Sequence, residues 1–208
     1  MRSRIGKTIL SIGLLLAAAC AAALLINASS GRMKVLDSEQ IAAVLENNDY
    51  ADDRSRIIAE SAVSLVGRVN YFWGGKSYCV GPDPAWGEPR QVTSEGSPKT
   101  GAIMPYGLDC SGYVTWVFLQ LEEEGMLQRI GEGTWAQWQN SEPIDMSQLR
   151  VGDLVFQNPF PGSSANHVAV CVGFYKKEPV FAHCSSAENN VVVTTAGSVF
   201  RYARRPKI

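Results

Sequence analysis

Hydrophobic periodicity changes once along this chain, and that change constrains the fold more than any other feature. Before Gly152 apolar residues recur at helical spacing, and from Gly152 onward they alternate with a period of two. Asp37 or Ser38 can cap a helix over residues 39–47, with Ile41, Val44 and Leu45 inward. A second helix fits residues 52–66, with Ile57, Ile58, Ala62, Val63, Leu65 and Val66 on one side and Gly67 to end it. A third starts at Asp109 or Cys110 and runs to Glu124 before Gly125. It is apolar nearly all round, which predicts a buried central helix. Strands are expected at residues 153–157, 167–175, 179–184, 190–195 and 199–203. Helices followed by consecutive strands predict an α+β fold with an antiparallel sheet.

The first 34 residues stand apart from this pattern. Residues 8–26 form a 19-residue apolar run broken only by Ser11 and Gly13, with Arg2, Arg4 and Lys7 before it. A helix of that length approaches the ~30 Å hydrocarbon core of a bilayer. The basic head keeps the N-terminus inside and places the rest outside the membrane. A cleaved signal segment is the rival reading, although such segments usually carry a shorter apolar region. The expected organisation is therefore an anchor or signal over residues 1–34 and one catalytic domain over residues 35–208.

A net charge of −1 with no basic block leaves no electrostatic footprint for nucleic acid. Five cysteines at irregular spacing form no zinc pattern. Cys79, Cys171 and Cys184 are open as disulfide partners or buried free thiols. After the cluster Tyr71-Phe72-Trp73-Gly74-Gly75, residues 76–106 are rich in Gly, Pro, Ser and Thr, and read as an insertion beside the active site. Residues 131–147 read as a polar connection carrying Trp135 and Trp138.

Cys110 opens the third helix, where the positive dipole end and free N–H groups favour a thiolate and supply an oxyanion-hole donor. Gly107 would permit a tight turn into the helix, and Gly112 would let other backbone approach. The chain has two histidines, His167 and His183, both downstream in strand-like runs. Alternation puts His167, Ala169, Cys171 and Gly173 on one strand face, where small residues would leave room for the Cys110 helix. His183 follows 16 residues later across a hairpin turning near Lys176-Lys177-Glu178, close enough to orient the first ring. Asn166 and Asn189 are weaker candidates for that third role.

The ordered motifs Tyr71-Phe72-Trp73-Gly74-Gly75, Gly107-Leu108-Asp109-Cys110-Ser111-Gly112, Val151-Gly152-Asp153-Leu154-Val155-Phe156, His167-Val168-Ala169-Val170 and Phe181-Ala182-His183 strongly resemble the NlpC-type (NlpC/p-sixty) cell-wall cysteine peptidases over about residues 55–205. The resemblance implies a papain-like α+β fold, with Cys110 as nucleophile, His167 as base and His183 as its orienting partner. It implies that Tyr71 helps stabilise the oxyanion, and that Asp109 and Ser111 hold the amino end of the substrate, with helix capping as the alternative. Trp73 is a candidate substrate contact, with core packing as its alternative.

The implied substrate is a peptidoglycan stem peptide, cut at the γ-D-glutamyl bond to the third-position diamino acid, by a monomer that needs no cofactor or metal. Two rivals stand beside this: an amidase of the CHAP type, and a non-catalytic wall-binding module held at the membrane. The 31-residue segment 76–106 is longer than the family's customary link, and no SH3-like wall-binding domain precedes the catalytic part.

Overall fold

In a computed structural model, residues 33–162 and 166–208 are described, so the apolar run at residues 8–26 lies outside the described part. Among the described residues no helix is long and apolar enough to cross a membrane. Helix α1 (Ser38–Asn47) is capped by Asp37 and α2 (Asp53–Ser64) by Asp52, each through a reciprocal capping box that satisfies otherwise orphaned N–H groups. Helix α3 (Cys110–Leu119) is buried from Cys110 through Phe118, as its all-round apolar sequence predicts.

That helix is shorter than expected. Glu122 takes a left-handed φ of 54°, and the chain turns before a separate helix α4 (Met126–Ile130). The segment read as a polar connection is structured too. It holds helix α5 (Gly133–Gln139), an edge strand and a 3-10 turn. Each piece is too short to show a hydrophobic period of its own.

Residues 89–105 contain a small exposed hairpin, β1 (Pro89–Gln91) with β2 (Ile103–Pro105). The main sheet is six-stranded and antiparallel: β3 (Ser141–Ile144), β4 (Leu154–Phe156), β5 (Val168–Tyr175), β6 (Glu178–Ser185), β7 (Asn190–Thr195) and β8 (Tyr202–Pro206), in the order β3-β8-β4-β5-β6-β7. The last strand lies downstream of the expected 199–203, because Val199 and Phe200 turn inward to close one side of the core before pairing starts. The β5–β6 hairpin closes on Lys176 and Lys177, both at positive φ, a two-residue turn whose twist suits the flanking strands.

The face of β5 that receives the helices is the opposite of the expected one. Val168, Val170 and Val172 pack with Val114, Val117 and Phe118 of α3. Ala169 and Cys171 face the other way, toward Phe181, Phe200 and Ala203. Branched valines supply the larger apolar area to a helix interface, each worth about 1.5–3 kcal/mol when buried. His167 is therefore not under the helix. It sits just before β5, where the strand begins.

Candidate active site

Two stretches of backbone meet to build the surroundings of Cys110. The Leu108 N–H donates to the Asn70 carbonyl (3.1 Å), the Phe72 N–H to the Leu108 carbonyl (3.0 Å), and the Asp109 N–H to the Gly75 carbonyl (3.2 Å). This contact explains the glycines. A Cβ on Gly107 would lie 1.9 Å from the Asn70 oxygen, and one on Gly112 would lie 2.1 Å from the Gly75 oxygen. Gly107 is thus needed for close approach, not for the tight turn expected of it. The same pairing sets Tyr71 beside Leu108, next to the thiol.

Asp109 is the N-cap of α3, and its carboxylate accepts from the Gly112 N–H at 2.6 Å. Gln137 of α5 is fully buried and donates to the Ser111 carbonyl (2.8 Å) and to the Thr115 hydroxyl (3.1 Å), steadying the first turn from behind. Cys110 is 6% exposed, and its Sγ donates to the Asn166 carbonyl at 3.8 Å. The backbone N–H groups of Val168 and Ser111 also reach the sulfur. The thiol is therefore cradled by backbone on both sides of His167.

Burial pushes the Cys110 thiol up to about 12, and the Asp109 charge adds to the rise; the two N–H groups and Lys76 pull the other way. The helix start was expected to depress this pKa. Desolvation outweighs it, because a bare thiolate loses more hydration than the dipole and two N–H groups return. Burial also lowers His167 to about 4 and His183 to about 3, with His167 adding to the second shift. Burial thus favours the neutral form of both the thiol and the imidazole.

A chain of polar contacts joins Thr194 to His167 through His183. The Thr194 hydroxyl lies 3.1 Å from His183 Nε2 and 3.8 Å from the Met33 sulfur. His183 Nδ1 lies 2.9 Å from His167 Nε2, so one ring donates to the other. With the shared proton on His167 Nε2, Nδ1 of that ring carries the lone pair a general base needs. Phe200 packs both rings, stacked on His167 at 5.6 Å and edge-on to His183 at 5.5 Å. Asn166 is spent elsewhere: its amide bonds Asn158 and the His167 N–H.

Tyr71 is held protonated by burial, with the Cys110 and Asp109 charges adding to the shift, so its hydroxyl can donate. It borders a cleft of about 580 Å³, also lined by Trp73, by residues 96–99 and Met104 of the insertion, and by Ser186 and Asn189 of the β6–β7 turn. Trp73 lines this cleft while its indole N–H is fixed to the Glu95 carbonyl at 2.8 Å. Trp86 docks on Trp116 of α3, anchoring the insertion against that helix. Cys79, Cys110, Cys171 and Cys184 are free thiols. Among the described residues no cluster of His, Cys, Asp or Glu suits a metal.

Sequence reasoning missed Lys76, Thr194, Phe200 and Gln137, which meet the first turns of α3 or the two histidines only through tertiary contacts. Alternation could have flagged Thr194, a polar residue at the end of a valine run.

The family model described as NlpC/P60 family matches residues 68–200. Among curated proteins there is no match. Solved structures that resemble the chain include the peptidoglycan hydrolase RipB from Mycobacterium tuberculosis, 21% identical with a TM-score of 0.51, covering 90% of this chain and 84% of that one. RipD from the same organism, described as a non-catalytic NlpC/p60 domain protein adapted to peptidoglycan binding, is 18% identical with a TM-score of 0.50, covering 75% and 98%. The NlpC/p60 domain of the peptidoglycan hydrolase SagA is 26% identical with a TM-score of 0.49, covering 72% and 97%.

Proposed function

Because the chain belongs to the NlpC/P60 family, whose members are typically cysteine peptidases acting on peptidoglycan, we propose that it hydrolyses peptidoglycan stem peptides outside the membrane, at the γ-D-glutamyl bond to the diamino acid. Cys110 is the nucleophile, His167 the base and His183 the group that orients it. The single observation carrying this reading is the contact chain Thr194–His183–His167 beside a thiol cradled by the backbone of Asn166 and Val168, on either side of His167.

The neutral resting pair dictates how attack proceeds. As the scissile carbonyl arrives, the thiol proton passes to His167 Nδ1 while the Cys110 sulfur bonds the carbonyl carbon. The carbonyl π electrons move onto oxygen, which accepts from the Cys110 backbone N–H and the Tyr71 hydroxyl. The imidazolium of His167 is stabilised through its Nε2–H to His183. Collapse of the tetrahedral species breaks the C–N bond, and the leaving amine takes the proton from His167. Water then attacks the thioester, giving a proton to His167, and the thiol regains it as the acid leaves.

The cleft between the insertion and the β6–β7 turn is the place for the peptide, with Trp73 as one wall. The apolar run at residues 8–26 belongs to the proposal as an anchor, to be judged by whether the mature N-terminus begins before Thr8 or after Ala28.

The reading is tested by digesting purified sacculi and identifying the fragments by mass spectrometry. Cys110→Ala, shown to be folded, is expected to release none; retained release refutes the assigned nucleophile. Cleavage between muramic acid and L-Ala would make the protein an amidase instead. A wall-binding role like that described for RipD predicts binding to sacculi with no release by the unaltered chain. The intact thiol, two histidines and their relay favour catalysis over that role.

A further inference from the structure

Next to the nucleophile lies an ion pair that the proposed reaction does not use. The Lys76 ammonium, at the start of the insertion, donates to both carboxylate oxygens of Asp109 (2.9 and 2.8 Å) and to the Ser111 hydroxyl (3.0 Å). Ser111 in turn donates to Asp109 Oδ1 at 2.8 Å. Asp109 and Ser111 flank Cys110 on either side, so this cation sits beside the attacking sulfur. The pair is largely withdrawn from water, with side-chain exposures of 24% and 12%.

A carboxylate and a hydroxyl converging beside a nucleophile make a receptor for an ammonium group. Here that receptor is already full. All three ammonium protons have acceptors, and the Asp109 charge is neutralised from within. The Lys76 backbone is pinned as well: its N–H donates to the Tyr106 hydroxyl (3.3 Å), which donates to the Lys76 carbonyl (2.5 Å). A substrate that brought its own terminal ammonium would have to expel Lys76 and exchange one ion pair for an equal one. A substrate whose amino end is acylated forfeits nothing.

We propose that Lys76 is a specificity-determining residue that admits stem peptides with a blocked amino end, such as stems still attached to the wall through an amide. The inference rests on the peptidase reading above and goes beyond it in naming which stems are taken.

The full-length chain is assayed on L-alanyl-γ-D-glutamyl tripeptides with diaminopimelate or lysine third, each with a free or an acetylated amino end. The unaltered enzyme is expected to cleave the two forms with kcat/KM values within about threefold of each other. Lys76→Met uncovers Asp109 and Ser111, and should shift the ratio about tenfold or more toward the free amine, mainly through KM. Lys76→Gln should shift it the same way, and Lys76→Arg should keep the original ratio. A strong free-amine preference in the unaltered enzyme, or an unchanged ratio in both Met and Gln variants, overturns the proposal while leaving the peptidase reading intact. Cleavage of neither form by the unaltered enzyme overturns both.

Discussion

A fully buried His183 and a half-buried His167, both held neutral, make this fold sensitive to mild acid, by an amount that follows from the site. His167 and His183 are held neutral down to about 4 and about 3 by burial. In the unfolded chain both take up a proton near the ordinary value of about 6.5. Between these limits the unfolded state binds the extra protons, so stability is complete above about pH 6.5 and falls as the pH drops below it. At about pH 5 each histidine is about 1.5 units below its unfolded value, and one unit corresponds to about 1.4 kcal/mol. The cost is about 2 kcal/mol for each ring and about 4 kcal/mol for the pair, a large part of a typical domain's stability.

The carboxylates held low by hydrogen bonds or ion pairs, such as Asp52 and Glu123, stay ionised over this interval and contribute little to the change. Urea unfolding followed by tryptophan fluorescence at about pH 8 and about pH 5 measures the difference directly. His167→Gln with His183→Gln should remove most of it. A loss below about 1 kcal/mol, or an equal loss in the double variant, would refute the claim that these rings are buried neutral.

Thr194→Val removes the hydroxyl hydrogen-bonded to His183 Nε2 and should lower kcat/KM by about tenfold or more, with partial rescue by Thr194→Ser. The same variants should leave substrate KM nearly unchanged, as steady-state kinetics will show. Gly112→Ala places a methyl group on the Gly75 carbonyl and should destabilise the fold by about 1–3 kcal/mol, read as a lowered thermal midpoint. An unshifted midpoint would mean that the backbone contact beside Cys110 is looser than described.

Legibility from sequence followed the range of the interactions. Helices α1 and α2 were readable because their caps and apolar stripes lie within a few residues of one another. The β5–β6 hairpin was readable because alternation and a short turn are equally local. Helices α4 and α5 and strand β3 were not, since each is between four and seven residues long, too short for an independent pattern, and is held by neighbours distant in sequence. The strand face expected to receive the Cys110 helix was reversed. Alternation separates two faces but does not say which is covered, and here the valines decide.

By itself the sequence determined the order of helices before strands, the placement of Cys110 at a helix start, and the pairing of two histidines across one turn. Those features depend on spacing along the chain. Only the tertiary structure decided that burial raises the pKa of the Cys110 thiol, that Thr194 meets His183, and that Lys76 fills the acidic notch beside Cys110. Each of these depends on burial or on partners far away in sequence, such as the 11 residues separating His183 from Thr194 and the 33 separating Lys76 from Asp109. Local periodicity carries no record of such contacts; they arise when the insertion, the helix start and the sheet close around one site.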